Sequence, residues 1–174
     1  MKSKNFAIRQ AKRLLFRCGF DPENIDVKRA KDFSVDLKGI ADKLEIKVIE
    51  HPFSDDISGV FFKKDNKLFL GVNSNHHEHR QRFTIAHEIG HYILHSTEVL
   101  HLHTMECEKV YLRADNSSGL NEVEANHFAA ELLIPEKLIV KCIENDIRSI
   151  KDLAARFNVS EDAMRYRLTN LGYL

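Results

Sequence analysis

The feature that most constrains this chain is a pair of histidines one helical turn apart in a segment with an apolar face. His87 and His91 flank Glu88 in the pattern His-Glu-x-x-His. The surrounding residues 82–95 repeat apolar side chains at helical spacing, which predicts a helix. Its apolar positions are Phe83, Ala86, Ile89, Gly90, Ile93 and Leu94.

Histidines at positions i and i+4 share one face of a helix, and both imidazoles can therefore bind the same metal ion. Glu88 lies between His87 and His91 in sequence, but its side chain is directed to a different side of the helix from theirs. From there it can accept a proton from a water on the metal instead of binding the metal itself.

The third metal ligand must come from elsewhere, because a catalytic zinc takes three protein ligands and keeps one position open. A metzincin would have glycine at position 94 and histidine at position 97. This chain has Leu94 and Thr97, so that scheme is excluded. The other common scheme takes a glutamate from a second helix downstream, and residues 122–135 supply such a segment.

Helix geometry distinguishes between the acidic residues of this second segment. Glu122 and Asn126 are i and i+4 on one face, whereas Glu124 is nearly opposite Glu122. A metal-binding histidine usually donates its second ring N–H to an oxygen acceptor, a role that suits Asn126. We therefore expect Glu122 to be the ligand, with Glu124 as the less favoured substitute. Glu124 and Glu131 fit a solvated helix face better than Glu122 does.

These two segments agree in content, order and separation with one known family. The first reads Arg-Phe-Thr-Ile-Ala-His-Glu-Ile-Gly-His-Tyr-Ile-Leu-His at 82–95. The second reads Glu-x-x-Ala-Asn-x-Phe-Ala-Ala-Glu-Leu-Leu-Ile-Pro at 122–135. Together they resemble the ImmA/IrrE family of metallo-endopeptidases. The resemblance covers residues 6–135 well and is looser in the tail.

The resemblance implies a gluzincin-like zinc endopeptidase with one Zn²⁺ per chain. His87, His91 and Glu122 would hold the metal, and Glu88 would be the general base. It also implies a substrate class, the helix-turn-helix (XRE-type) transcriptional repressors, whose cleavage derepresses mobile-element or stress genes. The alternative is a non-catalytic metal-binding regulator, or a module that sequesters a repressor on the same scaffold. The intact set of four residues favours the peptidase, since a binding module needs no general base.

Other histidines near the motif do not complete a metal site. His95 is i+4 from His91, but a helix rises about 6 Å over four residues, so three ligands on one helix diverge from a single ion. We expect His95 behind the site or in a structural role. Three residues are candidate oxyanion donors: Tyr92, His95 and Tyr111. Two groups lack a complete ligand set: His76, His77 and His79, and His101, His103 and Cys107.

The remaining pattern predicts an α+β fold, and the resemblance implies a zincin-like core with a small, mostly antiparallel sheet packed by helices. Alternating residues predict three strands, at 45–50, 57–62 and 67–72. A hairpin turn is expected at 63–66. Residues 5–18, and a segment capped by Ser34 that ends at Lys43, predict two helices before the sheet. Residues 96–119 read as an irregular loop. A sheet edge that holds extended substrate is implied, but no strand is identified as that edge.

The C-terminal part predicts a helix-turn-helix layout. Pro135 can begin a helix, and residues 149–168 predict a short helix, a tight turn and a second helix capped by Ser160. We expect a metallopeptidase domain at 1–135 and a C-terminal helical segment at 136–174, packed on the same unit.

DNA binding by this segment is the less favoured expectation. Arg165 and Arg167 would be the candidate base readers on the second helix. Glu161 and Asp162 at the start of that helix would repel phosphates. We therefore favour a structural or protein-docking role for this helix pair.

Composition narrows the class of protein. Basic and acidic residues balance at 26 each, and a formal net charge of zero gives no general attraction to nucleic acid. No apolar run is long enough to cross a membrane, and the N-terminus lacks a signal peptide's apolar block. Three widely separated cysteines indicate a reducing compartment. The cytoplasm is the expected location, with no membrane partner.

Overall fold

The computed structural model describes residues 4–101 and 119–174, with the backbone alone described at 96–101. The elements in chain order are α1 (Lys4–Arg17), a short 3-10 helix (Pro22–Asn24), α2 (Leu37–Lys43), β1 (Ile46–His51), β2 (Gly59–Lys64), β3 (Lys67–Asn73), α3 (Glu78–His101), α4 (Gly119–Leu133), α5 (Glu136–Glu144), α6 (Ile150–Phe157) and α7 (Glu161–Leu171). The predicted α+β class is confirmed. Within the described ranges, none of the helices combines the length and apolar character needed to cross a membrane.

The sheet has the strand order β1-β3-β2, so β1 and β2 are its two edges. β2 and β3 form an antiparallel hairpin whose turn residues, Asp65 and Asn66, have φ values of 48° and 61°. Two positive φ angles match the twist of the flanking strands, and Asp and Asn tolerate this conformation. β1 pairs with β3 in parallel, so the sheet is mixed and not mostly antiparallel. The hairpin signal is local, whereas the direction of β1 depends on contacts distant in sequence.

The two helices before the sheet match their predicted positions except at one cap. Gly19, with φ of 86°, lies two residues after the end of α1. The N-cap of α2 is Asp36, whose Oδ1 accepts a hydrogen bond from the Gly39 N–H at 2.9 Å. The prediction of Ser34 as the cap was wrong, because Asp36 offers the same kind of acceptor one residue before the first helical turn.

α3 is the central helix and packs on α4 and on the sheet. It begins at Glu78 and extends to His101, so the backbone at 96–101 is helical where an irregular loop was expected. A Cβ atom at Gly90 would lie 3.0 Å from Cδ1 of Phe128, which is fully buried on α4. The absence of a side chain at Gly90 therefore lets the two helices approach closely.

α6 and α7 form the predicted helix-turn-helix layout. Ser149 and Ser160 cap them, each accepting a hydrogen bond from a backbone N–H in the first turn. Asn158, with φ of 50°, occupies the left-handed conformation that ends α6. One cluster of buried residues includes side chains from α1, α3, α4 and α7. The division at residue 135 stays a prediction.

Arg167 is buried at the contact between α7 and α4, with 5% of its surface exposed. Its guanidinium forms an ion pair with Glu131 and donates a hydrogen bond to the Ile134 carbonyl at 3.1 Å. Arg167 therefore cannot reach DNA, in contrast to exposed Arg165. The solvated-face interpretation of Glu131 was also wrong, because its exposed fraction is 1%.

Candidate metal centre

Three side chains from two helices converge at the centre of the molecule. The Nε2 atoms of His87 and His91, one turn apart on α3, lie 3.0 Å from each other. Two carboxylate oxygens of Glu122 on α4 lie 3.3 Å from these nitrogens, one from each. Among the described residues these three form the grouping whose donor atoms could hold one metal ion. The structure thus brings together the three residues that the sequence predicted as metal ligands.

The donor set fits zinc. A tetrahedral zinc with bonds of about 2.0–2.1 Å holds its ligand atoms about 3.3 Å apart, close to the spacings observed here. Two imidazoles and one carboxylate are donor types of catalytic zinc, although other first-row divalent metals bind such sets as well. Both histidines are nearly buried, while Glu122 has 36% of its side chain exposed. The site therefore has a protein-facing side and an accessible side.

Asn126 lies beside the histidines, one turn after Glu122 on α4. Its Oδ1 is 3.0 Å from Nδ1 of His87. An oxygen acceptor at this distance favours the tautomer with its proton on Nδ1, and the lone pair on Nε2 then faces the other donors. The contact is the one that helix spacing predicted for Asn126.

Glu88 is buried, with 8% of its surface exposed, and lies close to the beginning of β2. A Cβ atom at Gly59 would lie 2.5 Å from Cγ2 of Thr84 and 3.8 Å from Cγ of Glu88. Glycine at this position therefore lets the edge strand β2 approach α3 at the level of Glu88. Further along β2, the ring of Phe61 stacks on Tyr92, with ring centroids 5.6 Å apart.

His95 and Glu124 form a second buried pair one turn beyond the centre. Nε2 of His95 lies 3.8 Å from Oε2 of Glu124, and both residues are 7% exposed. The solvated-face interpretation of Glu124 was wrong, because that face of α4 packs against α3. The His95 and His91 rings are 5.4 Å apart. His95 therefore lies behind the three donors and connects α3 to α4.

The other histidine groups do not form a comparable site among the described residues. The rings of His77 and His79 are 4.6 Å apart, while Nε2 of His76 lies 3.3 Å from the Asp55 carbonyl oxygen. The side chain of His101, together with His103, Cys107 and Tyr111, lies outside the described residues.

Phe83 is the residue near the centre that sequence reasoning assigned wrongly. Helical spacing placed it on the buried face of α3, yet 41% of its surface is exposed. Its ring lies 5.9 Å from the ring of His87. Helical spacing places Phe83 on the same face as Ala86 and Gly90, so the apolar pattern itself carried no signal that Phe83 is exposed.

The chain matches a known family over most of its length. The profile of the IrrE N-terminal-like domain, which describes a family of peptidases, aligns with residues 41–169. The chain belongs to the ImmA/IrrE family. The predicted family membership is therefore confirmed, and the donor set lies within a chain whose family comprises metallopeptidases.

Three relatives show the range of this family. The radiation response metalloprotease IrrE of Deinococcus radiodurans is 33% identical over 62% of this chain and 32% of its own length. The metallopeptidase ImmA of Bacillus subtilis is 30% identical over 63% of this chain and 60% of its own. An uncharacterized immunity region protein 2 of Bacillus phage phi105 is 31% identical over 66% of this chain and 68% of its own length. The matches thus span a third of IrrE and 60% of ImmA.

A solved structure shares the fold. A Mycobacterium tuberculosis transcriptional regulator superposes with a TM-score of 0.58 over 94% of this chain and 46% of the other, at 19% identity. At this identity the likeness concerns the fold alone.

Proposed function

We propose that this protein is a gluzincin-like, zinc-dependent endopeptidase that hydrolyses a peptide bond in a regulatory protein. The observation that carries the proposal is the convergence of His87, His91 and Glu122, with donor atoms 3.0–3.3 Å apart, beside buried Glu88. In this proposal the three residues hold one Zn²⁺ per chain, and Glu88 is the general base.

Different residues of the chain have different roles in the proposed reaction. A bound zinc would polarise the scissile carbonyl and lower the pKa of water at its open position. Glu88 takes the proton of the attacking water and passes it to the leaving amine. Asn126 keeps the proton of His87 on Nδ1, so that Nε2 remains a metal donor. Burial of Glu88 restricts the orientations that its side chain can adopt beside the proposed metal ligands of α3.

β2 is the edge strand proposed to hold substrate. It is an outer strand of the sheet, and its first residue, Gly59, lies against Thr84 and Glu88 of α3. An extended polypeptide that adds to this edge gains main-chain hydrogen bonds and passes near the centre. β1, the other edge, is separated from β2 by β3.

The proposed substrate class is a helix-turn-helix (XRE-type) repressor in the cytoplasm, whose cleavage derepresses mobile-element or stress genes. Two relatives support a regulatory setting by their names, a radiation response metalloprotease and a phage immunity region protein. The burial of Arg167 supports a chain that acts on a protein and not on DNA through its own C-terminal helices.

The metal content of Glu122→Ala tests the ligand set. We expect the parent protein, purified under zinc-replete conditions, to carry about one zinc per chain, and the variant to lose most of it because two histidines alone do not complete a site. The measurement is elemental analysis by mass spectrometry beside circular dichroism.

Glu124→Gln is the matched control for this experiment, since Glu124 is the other acidic residue of α4 that faces α3. It should retain zinc. Full zinc retention by Glu122→Ala, or loss of zinc from Glu124→Gln with the fold intact, would move the third ligand away from Glu122. A folded parent without zinc would favour the non-catalytic regulator.

Asn126→Ala is expected to weaken zinc binding about 10–100-fold, because it removes the acceptor that orients His87. Asn126→Asp retains an oxygen acceptor and should keep most of the affinity. Competition with a chromophoric zinc chelator measures both constants. Equal affinity of Asn126→Ala and the parent protein would show that the contact does not support the metal site.

A further inference from the structure

A groove of about 1060 Å³ lies beside the metal centre, between the beginning of α3 and the C-terminal helices. One face of α4 lines its floor, the beginning of α3 forms one wall and α7 forms the other. The groove reaches the centre through two of its lining residues, Asn126 and Phe83, whose side chains adjoin His87. The groove therefore adjoins the candidate metal centre through the two residues that contact His87, while the three donor residues are not part of its described lining.

The length of the groove matches a short stretch of polypeptide. Along α4 the lining residues run from Val123 to Leu133. Ten residue steps of α-helix rise about 15 Å. An extended chain covers this distance with about five residues, at about 3.3 Å each. The groove thus accommodates more than the one side chain that flanks a scissile bond.

Exposed apolar side chains line the groove. Phe83, Val123 and Tyr166 are 41%, 49% and 71% exposed, one from each of the three helices. Aromatic and aliphatic side chains displayed in this way are typical of a polypeptide-binding surface, since they contact apolar side chains and not phosphates.

The charges around the groove favour an acidic occupant. Lys4 and Arg80 carry positive charge, whereas Glu161 is the one carboxylate among its described lining residues. The pKa of His127, which also lines the groove, is lowered by burial and further by the positive charges of Lys4 and Arg167. The positive charges of these side chains therefore act inside the groove.

We propose that this groove binds a segment of about five residues of the protein substrate, extended and bearing apolar and acidic side chains, next to the scissile bond. α7 thereby becomes a wall of the substrate site, and the C-terminal helices determine which polypeptide reaches the metal centre. The proposal rests on the proposed peptidase function, since it identifies the occupant as substrate.

Three synthetic peptides of about ten residues, labelled with fluorescein, test the proposal. They share the same apolar residues and differ only in carrying Glu, Gln or Lys between them. Binding is measured by fluorescence anisotropy to the full chain that carries Glu88→Gln, loaded with zinc. The Glu peptide should bind most tightly and the Lys peptide most weakly. Added salt should weaken the Glu peptide more than the Gln peptide.

Two exposed residues of the groove provide the decisive variants. Tyr166→Ala should raise the Kd of the Glu peptide about tenfold, because an exposed aromatic anchor is removed. Lys4→Glu should reverse the preference between the Glu and Lys peptides. The matched controls are Tyr173→Ala and Arg13→Glu, which are exposed and lie outside the groove lining. They should bind all three peptides as the parent does.

The proposal is overturned if the groove variants bind like their controls, or if a short DNA duplex displaces the Glu peptide at lower concentration than unlabelled Glu peptide does. Failure of the peptidase function is seen separately, as absence of cleavage by the protein with Glu88 intact. Peptide binding that depends on Tyr166 and Lys4 in a protein without turnover supports the groove and rejects the peptidase. Turnover that is unaffected by Tyr166→Ala and Lys4→Glu rejects the groove alone.

Discussion

Replacement of Glu88 by glutamine is expected to reduce peptide-bond hydrolysis by about 10²–10⁴-fold, the usual contribution of a general acid–base residue. Glutamine has the shape of glutamate but cannot accept the proton of the attacking water. Because glutamine keeps this shape and Glu88 is not one of the three donor residues, the variant should retain its fold and its zinc. The change therefore removes the proposed chemistry while it preserves the site.

The measurement is the release of new N-termini from a mixed synthetic peptide library, read by mass spectrometry beside zinc content. Glu78→Gln is the matched control, because Glu78 is an exposed acid in the first turn of the same helix. It should cleave as the parent does. Undiminished cleavage by zinc-loaded Glu88→Gln would exclude Glu88 as the general base.

The same variant separates the peptidase from the non-catalytic regulator. In cells that carry a reporter under a helix-turn-helix repressor, a peptidase with Glu88→Gln should no longer relieve repression. A module that acts by sequestration should still do so, since its binding surface is unchanged. Relief of repression by the variant would favour the second function.

The features that the sequence predicts well are those that depend on local spacing. The pairs His87–His91 and Glu122–Asn126 each lie one helical turn apart, so the face they share follows from helical geometry alone. The structure shows the consequence, with Asn126 at 3.0 Å from His87. The Asp65–Asn66 turn is also local, and it occupies the second half of the predicted segment 63–66, whose first half belongs to β2.

The features that the sequence did not predict depend on contacts between distant segments. The parallel pairing of β1 with β3 is decided by the whole sheet, and the burial of Glu131 is decided by α7. A glutamate in an amphipathic helix usually faces water, and its partner Arg167 lies 36 positions later. The two residues carry opposite charges, but their distance in sequence gives no periodic signal that they are partners.

Replacement of Arg167 by methionine is expected to destabilise the protein by about 3–5 kcal/mol, because it leaves Glu131 buried without its charge partner. Lys12 remains near Glu131, with its Nζ 3.7 Å from Oε1, but it is 40% exposed and compensates only in part. Urea unfolding followed by circular dichroism measures the loss.

Arg165→Met is the matched control, since Arg165 lies on the same helix and is exposed. Its stability should differ little from that of the parent. The double variant Arg167→Met, Glu131→Leu should recover much of the loss, because two apolar side chains replace the ion pair. A single variant as stable as Arg165→Met would show that the pair does not hold α7 on α4.

The loss in Arg167→Met should also depend on pH, in a direction fixed by Glu131. Burial raises the pKa of Glu131, and the positive charges of Arg167 and Lys12 oppose this effect. Without Arg167 the pKa rises further, so the folded variant holds a proton that the unfolded chain releases. A raised folded-state pKa gives stability that is present at low pH and is lost as pH rises through that pKa. The stability difference between the parent and Arg167→Met should therefore grow between about pH 5 and pH 8, whereas a difference that shrinks over this range would contradict the assignment of Glu131 as the destabilising charge.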